Sequence, residues 1–146
     1  MTLENLSSIG KLKPHKAERV EIQRLFAAAD RSLNDARNKG INPDTRLDVA
    51  YKVITQAALV AMLGNGFRPS TSEPGHHQVL IQALPKTIGL SAERMRALES
   101  YRSTRNLSDY KGVPVQQSVA NDCVEDAARL LADVRAWIKK NRSDLV

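Results

Sequence analysis

Aromatic residues and cysteines are scarce in this chain of 146 residues, and each scarcity excludes a class of function. Phe, Trp and Tyr together make up 4% of the residues, which argues against a surface that recognises single strands by stacking many bases. The single cysteine, Cys123, excludes an internal disulfide and a cysteine-based zinc site, and it fits a reducing compartment. The core must therefore consist of Ala, Leu, Val and Ile, a mixture that suits closely packed helices.

Targeting and membrane signals are also missing. The first residues, Met-Thr-Leu-Glu-Asn, lack the charged and then apolar pattern of a signal peptide, and no run approaches the length of a membrane span. We find no Gly-rich phosphate loop, no Ser–His–Asp arrangement, no helix-turn-helix spacing, no internal repeat and no convincing pair of strands. The sequence therefore predicts a cytoplasmic protein with no membrane partner.

The balance of charge favours anionic partners. Lys and Arg number 22 against 16 Asp and Glu, for a formal net charge of +6, and a basic protein attracts polyanions such as nucleic acids. Two basic clusters contribute to this charge, one near the N-terminus and one in the second half of the chain. They comprise Lys11, Lys13, Lys16 and Arg19, and Arg94, Arg96, Arg102, Arg105 and Lys111. An ordinary solvated face is the alternative interpretation of either cluster.

Apolar residues recur at helical spacing along most of the chain, and capping residues mark where helices begin and end. Asn42 followed by Pro43, and Ser91, are the predicted N-terminal caps. We predict a flexible basic arm at residues 1–15 and a single helical domain over residues 16–146. Its predicted helices cover residues 16–38, 42–64, 91–106 and 114–140, with a shorter one opened by Glu73-Pro74-Gly75. The expected fold is all-α, an antiparallel bundle of four to five helices.

Polar side chains that suit phosphate are concentrated between residues 101 and 112. Arg102 and Arg105 lie three positions apart and so share one face of a helix, Asn106 follows directly, and Tyr110 lies near. A guanidinium offers five donors in a rigid fork that matches phosphate, and an amide and a phenol add donors beside it. The pattern indicates a phosphate site. The alternative is a buried polar cluster that holds two helices together.

Lys111 and the adjacent His76 and His77 are further candidates for binding phosphate or RNA. Adjacent histidines point about 100° apart on a helix, and no acidic residue or histidine follows four positions on, so we do not expect them to share a metal ion. One histidine can line a polar pocket, or both can be exposed or packed in the core. Cys123 lies on an apolar stripe with no activating histidine nearby in sequence, so an inert, packed thiol is expected. We predict no metal site and no cofactor.

Two sets of residues resemble the HEPN superfamily, small helical bundles of prokaryotic defence and toxin–antitoxin systems. The first runs from Asp44 to Tyr51 and continues in Gly66-Phe67-Arg68-Pro69 and Gly75-His76-His77. It is similar to a subgroup with an Arg-Phe-x-x-Ala-Tyr helix and a Gly-Tyr-Arg-Pro loop. The second runs from Arg105 to Tyr110 and resembles the superfamily signature, Arg and a polar residue followed after a few variable positions by His. The resemblance covers about residues 20–140.

The resemblance implies a metal-independent endoribonuclease that dimerises so that two such motifs meet in one cleft. There the RNA 2′-hydroxyl attacks the adjacent phosphorus, so one proton must be removed, one supplied, and negative charge stabilised. By resemblance, Arg105 holds the phosphate, Asn106 orients it, and Tyr110 occupies the position of the His. A tyrosine is a poor base at neutral pH, which removes roughly two to four orders of magnitude of acid–base catalysis. His76 or His77 is the alternative base.

Two functions stay open at this point. The first is a HEPN-like homodimer that engages RNA or nucleotide phosphate as a ribonuclease-type toxin or defence component. The second is a catalytically inactive HEPN-like interaction module, or one half of a toxin–antitoxin pair with a nucleotidyltransferase. In some members paired with such an enzyme, a tyrosine near the motif is modified with AMP, so Tyr110 is a candidate acceptor. A DNA-binding regulator has only the charge in its favour.

Overall fold

Helices dominate the protein, whose computed structural model describes residues 2–71 and 76–146. The helical fraction is 74%, which confirms the prediction of a helical protein. Four long helices and three short ones lie in the described part, and the predicted four long helices and one shorter one leave out α1 and α5. In chain order they are α1 (Leu3–Ser8), α2 (Arg19–Ala36), α3 (Pro43–Gly64), α4 (His76–Gln82), α5 (Leu84–Thr87), α6 (Ala92–Lys111) and α7 (Gln117–Asn141), followed by a 3-10 turn at Ser143–Leu145. The predicted opening of α4 at residues 73–75 lies outside the described residues.

A small antiparallel sheet corrects two expectations from the sequence. Strands β1 (Leu12–Pro14) and β2 (Phe67–Pro69) pair with Leu12 opposite Pro69, although we expected no strand pair. The first fifteen residues, expected to form a flexible arm, instead contain α1 and β1, and Leu12 is only 1% exposed. Strands of three residues are too short to show the alternation that identifies a strand in a sequence. The contact with β2 therefore decides the conformation of this segment.

Helix α3 is the central element, because α2, α4, α5, α6 and α7 all pack against it. Its start is as predicted: Asn42 Oδ1 accepts the Asp44 N–H at 2.8 Å, and Pro43 occupies the first turn. Many of its residues are Ala or other apolar types that lie fully buried. By length and composition α3 could cross a membrane, but 67% of its most apolar window is buried inside the protein, which is consistent with the core helix of a soluble protein.

Arg46 connects three helices from within the core. Its side chain is buried, with 2% of its surface exposed, and its Nε donates to the Ala36 carbonyl at the end of α2 at 2.8 Å. Nη1 donates to Asn121 Oδ1 on α7, also at 2.8 Å. Close by in sequence, Asp44 Oδ1 accepts the Val115 N–H at 2.7 Å, which holds the segment before α7. The first turn of α3 therefore fixes the relative positions of α2 and α7.

Helix α6 is longer than predicted, which changes the setting of the arginine-rich stretch. We expected it to end at about Asn106, but it continues to Lys111 and ends at Gly112, whose φ of 67° is left-handed. The Gly112 N–H bonds the Ser108 carbonyl at 3.1 Å, and the Val113 N–H bonds the Leu107 carbonyl at 3.3 Å. Such a cap needs a residue without a Cβ, so the glycine and not the asparagine sets the end. The cap predicted at the start, Ser91, is confirmed by its 3.2 Å bond from the Arg94 N–H.

The N-terminal half of α6 attaches the helix to the rest of the protein. Only Leu98 and Tyr101 are buried along its length. The Tyr101 hydroxyl donates to Asp126 Oδ2 on α7 at 2.6 Å. Glu99 Oε1 accepts from two glutamine side chains of α4, Gln78 at 3.0 Å and Gln82 at 2.7 Å. These bonds hold α6 across α4 and α7 and leave its C-terminal half with little packing of its own.

Replacing Tyr101 by phenylalanine is expected to lower the free energy of unfolding by about 1 kcal/mol, the usual contribution of such a hydrogen bond. Burial, and then the bond to Asp126, raise the pKa of Tyr101 above its ordinary value of 10.0. Folding therefore favours the protonated phenol. The Tyr101 hydroxyl contributes fully to the free energy of unfolding below pH 10, and this contribution is lost as the pH rises further. Urea unfolding of both proteins from pH 7 to about pH 11 should show the difference shrinking at the alkaline end. Tyr110→Phe is the control, because Tyr110 is 82% exposed and should change nothing.

Candidate functional site

A polar cleft of about 350 Å³ lies between α3, α4 and α6, and we call it the α3–α6 cleft. Helix α3 lines it with side chains spaced at i, i+3, i+4 and i+7, which share one helix face. Helix α6 contributes two arginines three positions apart, and α4 contributes the turn that closes one side. The lining residues are Asp48, Tyr51, Lys52 and Thr55, Arg102 and Arg105, and His77 and Gln78. Three cations and one carboxylate therefore line the cleft, and a second carboxylate, Asp109, lies beside Arg105, so positive side chains outnumber negative ones here.

Arg105 is held in the cleft by charge and stacking, with its hydrogen-bond donors uncommitted. Its guanidinium carbon lies 5.1 Å from the centre of the Tyr51 ring, within the range of a cation–π contact. Its Nε is 3.8 Å from Asp48 Oδ1 and 3.5 Å from Asp109 Oδ2, so both ion pairs are long. Within the described residues no hydrogen bond from the guanidinium satisfies the usual geometry. The group is positioned but can still bind an oxyanion.

Two ionisable side chains beside Arg105 have perturbed pKa values. Burial, followed by repulsion from Asp109, raises the pKa of Asp48 above its ordinary value of 3.8, while Arg105 opposes the change. Burial also raises the pKa of Tyr51 above 10.0, and the nearby Arg105 and Arg102 charges only partly offset it. The Tyr51 phenol is therefore neutral at physiological pH. It can donate a hydrogen bond to an anion but is a poor base.

The structure brings together some of the side chains expected at the site and separates others. Arg102, Arg105 and His77 line the same cleft. Asn106 is half-buried and does not line the cleft, and Tyr110 is 82% exposed outside it. Positions 105 and 110 are about 140° apart around a helix, so they cannot face one ligand from one protomer. A joint role for Arg105, Asn106 and Tyr110 remains a prediction that requires a second copy.

Lys111 and the other candidates have simpler settings. Lys111 is exposed at the end of α6 and lies away from the cleft, and the side chain of His76 lies outside the described part. Cys123 is fully buried, and burial followed by the charge of Asp126 raises the pKa of its thiol, so it is an inert packed group as expected. Among the described residues no group of three His, Cys, Asp or Glu side chains is arranged to hold a metal ion.

The contribution of α3 to the cleft is not predicted from the sequence. Lys52 and Thr55 are not among the predicted site residues, although Asp48 and Tyr51 lie in the stretch that resembles HEPN proteins. A signal was present, because Asp48 and Lys52 are the only charged residues of α3 after Leu47. Charged side chains one turn apart on an otherwise apolar helix indicate a face that does not pack into the core.

The arrangement suits binding of an anion better than it suits proton transfer. Lys52, Arg102 and Arg105 supply positive charge and directed donors, and Tyr51 supplies a neutral phenol. His77 is the one imidazole among the described lining residues, and imidazole is the side chain whose ordinary pKa lies nearest neutrality. No protein-family model, no curated protein and no solved structure matches this chain.

Proposed function

We propose that this protein is a HEPN-like helical bundle that binds RNA or nucleotide phosphate in the α3–α6 cleft. In this proposal it acts in the cytoplasm as a metal-independent, ribonuclease-type toxin or defence component. The observation that carries the proposal is the convergence of Lys52, Arg102 and Arg105 on one cleft, where these three cations outnumber Asp48 and the nearby Asp109. Stacking on Tyr51 restricts the Arg105 guanidinium, so less conformational entropy is lost when a phosphate binds.

The chemistry of a bound phosphodiester follows from the positions of these groups. Arg105 and Arg102 approach from α6 and Lys52 from α3, so a phosphate in the cleft receives positive charge from two sides. Tyr51 donates to a non-bridging oxygen, because its phenol is neutral. His77, on the α4 side, is the group suited to removing the proton from the 2′-hydroxyl as its oxygen attacks phosphorus; the P–O5′ bond breaks, and the departing 5′-oxygen takes a proton from solvent.

Arg105→Ala is expected to weaken RNA binding and to slow any RNA cleavage by the purified protein at least about 100-fold. The measurement is the decay of total RNA in the presence of a metal chelator, with RNA binding scored in parallel. Arg96→Ala is the matched control, since Arg96 is exposed on α6 and lies about half a turn from Arg105 around the helix. Equal RNA decay with both variants, or neither decay nor binding with the wild type, would reject the proposal.

A homodimer is part of the proposal, and exposed apolar side chains mark the face that we assign to it. Leu107 and Tyr110 are 47% and 82% exposed at the weakly packed end of α6, and Val113, 45% exposed, lies just beyond it. Association through this face would bury these side chains against a second copy.

Leu107→Glu is expected to convert the dimer into a monomer, because a charge at the centre of this face would be buried without a partner. Light scattering after size-exclusion chromatography measures the mass. Ile9→Glu introduces the same charge at another exposed apolar position, 53% exposed, and should leave the dimer intact. A wild-type monomer at high concentration, or an intact dimer in Leu107→Glu, would contradict this assignment.

The exposure of Tyr110 favours a second candidate function, a catalytically inactive interaction module paired with a nucleotidyltransferase. An 82% exposed phenol on a helix end is accessible to a modifying enzyme, whereas a phenol is a poor substitute for a catalytic imidazole. The RNA assay separates the two functions. Binding without cleavage by the wild type, together with transfer of AMP to Tyr110 by a nucleotidyltransferase, favours the second.

A further inference from the structure

A second and larger concavity adjoins the α3–α6 cleft along α3, and Thr55 and His77 line both. We call it the α2–α4 groove, because α2 and α4 form its walls and α3 forms its floor. Its volume is about 820 Å³, within the range of small-molecule sites. The floor runs from Thr55 to Leu63, a span of roughly 12 Å along a helix.

The interior of the α2–α4 groove is apolar. Leu59 and Leu63 form its floor, Leu25 and Leu80 line its two walls, and Pro69 closes one end. Leu25 and Leu59 are only partly buried although they pack against the core, so their remaining surface faces the groove. An occupant with an apolar body would remove this surface from water, which is favourable.

The rim of the groove is cationic. Lys16, Arg24 and Arg68 border it, and among the described residues neither arginine has an ion pair or a hydrogen bond from its side chain. The carboxylates nearby are already engaged at the start of α2. Glu21 lies 2.9 Å from His15 Nε2 and accepts the Glu18 N–H at 3.5 Å, and Glu18 takes part in the same capping box. The uncommitted charge at the rim is therefore positive.

One polar group lies in the floor of the groove without a partner. Gln56 Oε1 is buried and has no hydrogen-bond partner in the described part of the chain. Buried amide groups are almost always hydrogen-bonded, so an orphaned one at a concavity is a position where an occupant can supply the missing contact. Rotation of this amide presents either its oxygen or its nitrogen to such an occupant.

We propose that the α2–α4 groove binds a small amphipathic carboxylate, with its apolar body on Leu25, Leu59 and Leu80 and its anionic head at the arginine rim. The volume and the leucine walls select the apolar body, and Arg24 and Arg68 select the negative charge. When the Gln56 amide is rotated by 180°, its Nε2 takes the position of Oε1 and donates a hydrogen bond to a carboxylate oxygen of the ligand. The proposal does not depend on RNA binding, because none of the side chains that hold the carboxylate lines the α3–α6 cleft.

Titration of the full-length protein with decanoate, decanol and decylamine tests the proposal. Decanoate is expected to shift the methyl resonances of Leu25, Leu59, Leu63 and Leu80, and to bind more tightly than either the neutral or the cationic analogue. Leu59→Trp, which fills the groove, is expected to lower decanoate affinity at least tenfold. Arg24→Glu should lower it about fivefold, the effect of reversing one exposed charge.

Arg129→Glu is the matched control. It changes the net charge by the same amount as Arg24→Glu, and Arg129 is exposed on α7, away from the groove. It should leave decanoate affinity unchanged. Circular dichroism shows whether the Leu59→Trp variant folds. If it does not fold, the Arg24→Glu variant, which changes only the surface, still tests the proposal. Several results would overturn the proposal: no binding of decanoate, equal binding of all three probes, or shifts confined to other methyl groups. A wild-type dimer that Leu59→Trp turns into a monomer would overturn it as well, because the groove would then be a protein interface.

Discussion

Arg46→Ala is expected to lower the free energy of unfolding by about 3 kcal/mol, the largest effect on stability that we predict for a single substitution. The guanidinium supplies the donors for the Ala36 carbonyl and for Asn121 Oδ1, and its side chain is only 2% exposed. Truncation leaves both oxygens without a donor in a place that water reaches poorly. It also leaves a cavity at the junction of α2, α3 and α7, with a volume close to that of the removed side-chain atoms.

The control for this prediction is Arg31→Ala, an exposed arginine on α2, which should change the free energy of unfolding by no more than about 0.5 kcal/mol. Urea unfolding followed by circular dichroism measures both variants. Asn121→Ala should lose about 1 kcal/mol, because it removes only one of the two acceptors. Similar small losses for Arg46 and Arg31 would mean that the buried arginine is not the connection between the three helices.

The largest effect on RNA binding is expected when Lys52, Arg102 and Arg105 are all replaced by alanine. RNA affinity should fall about 100-fold at low salt, and the slope of log affinity against log salt should become shallower by about 2, since each phosphate contact contributes about 0.7 for a single strand. Fluorescence anisotropy of a labelled RNA oligonucleotide across a salt series provides both numbers. The change in slope counts the phosphate contacts that the α3–α6 cleft makes.

A triple variant with the same change in net charge separates the cleft from the general basicity of the protein. Arg96, Arg129 and Lys139 are exposed on α6 and α7 and lie outside the cleft. Their joint replacement by alanine should reduce affinity only slightly, because charges at a distance are screened by salt. If both triple variants weaken RNA binding alike, the attraction is diffuse and the cleft is not the site.

Local signals in the sequence were sufficient for most helices. Asn42 with Pro43 and Ser91 begin α3 and α6 as predicted, since a cap depends on a side chain bonding to a backbone group two or three residues away. The predicted end of α6 at Asn106 is wrong, because polar residues such as Arg105 and Asn106 continue an exposed helix and the left-handed Gly112 ends it. The β1–β2 pair was missed, because its stability comes from residues far apart in sequence, such as Leu12 and Pro69.

The sequence by itself determined that this protein is helical and basic and that Arg102 and Arg105 share one helix face, because these properties depend on composition and on periodicity within one segment. Only the tertiary structure decided that Arg105 stacks on Tyr51 in a cleft with Lys52, that Tyr110 lies outside it, and that Arg46 is a buried structural link. Each of these contacts joins different helices. Their geometry depends on how α3, α4 and α6 pack, and the pattern of any one helix does not contain that information.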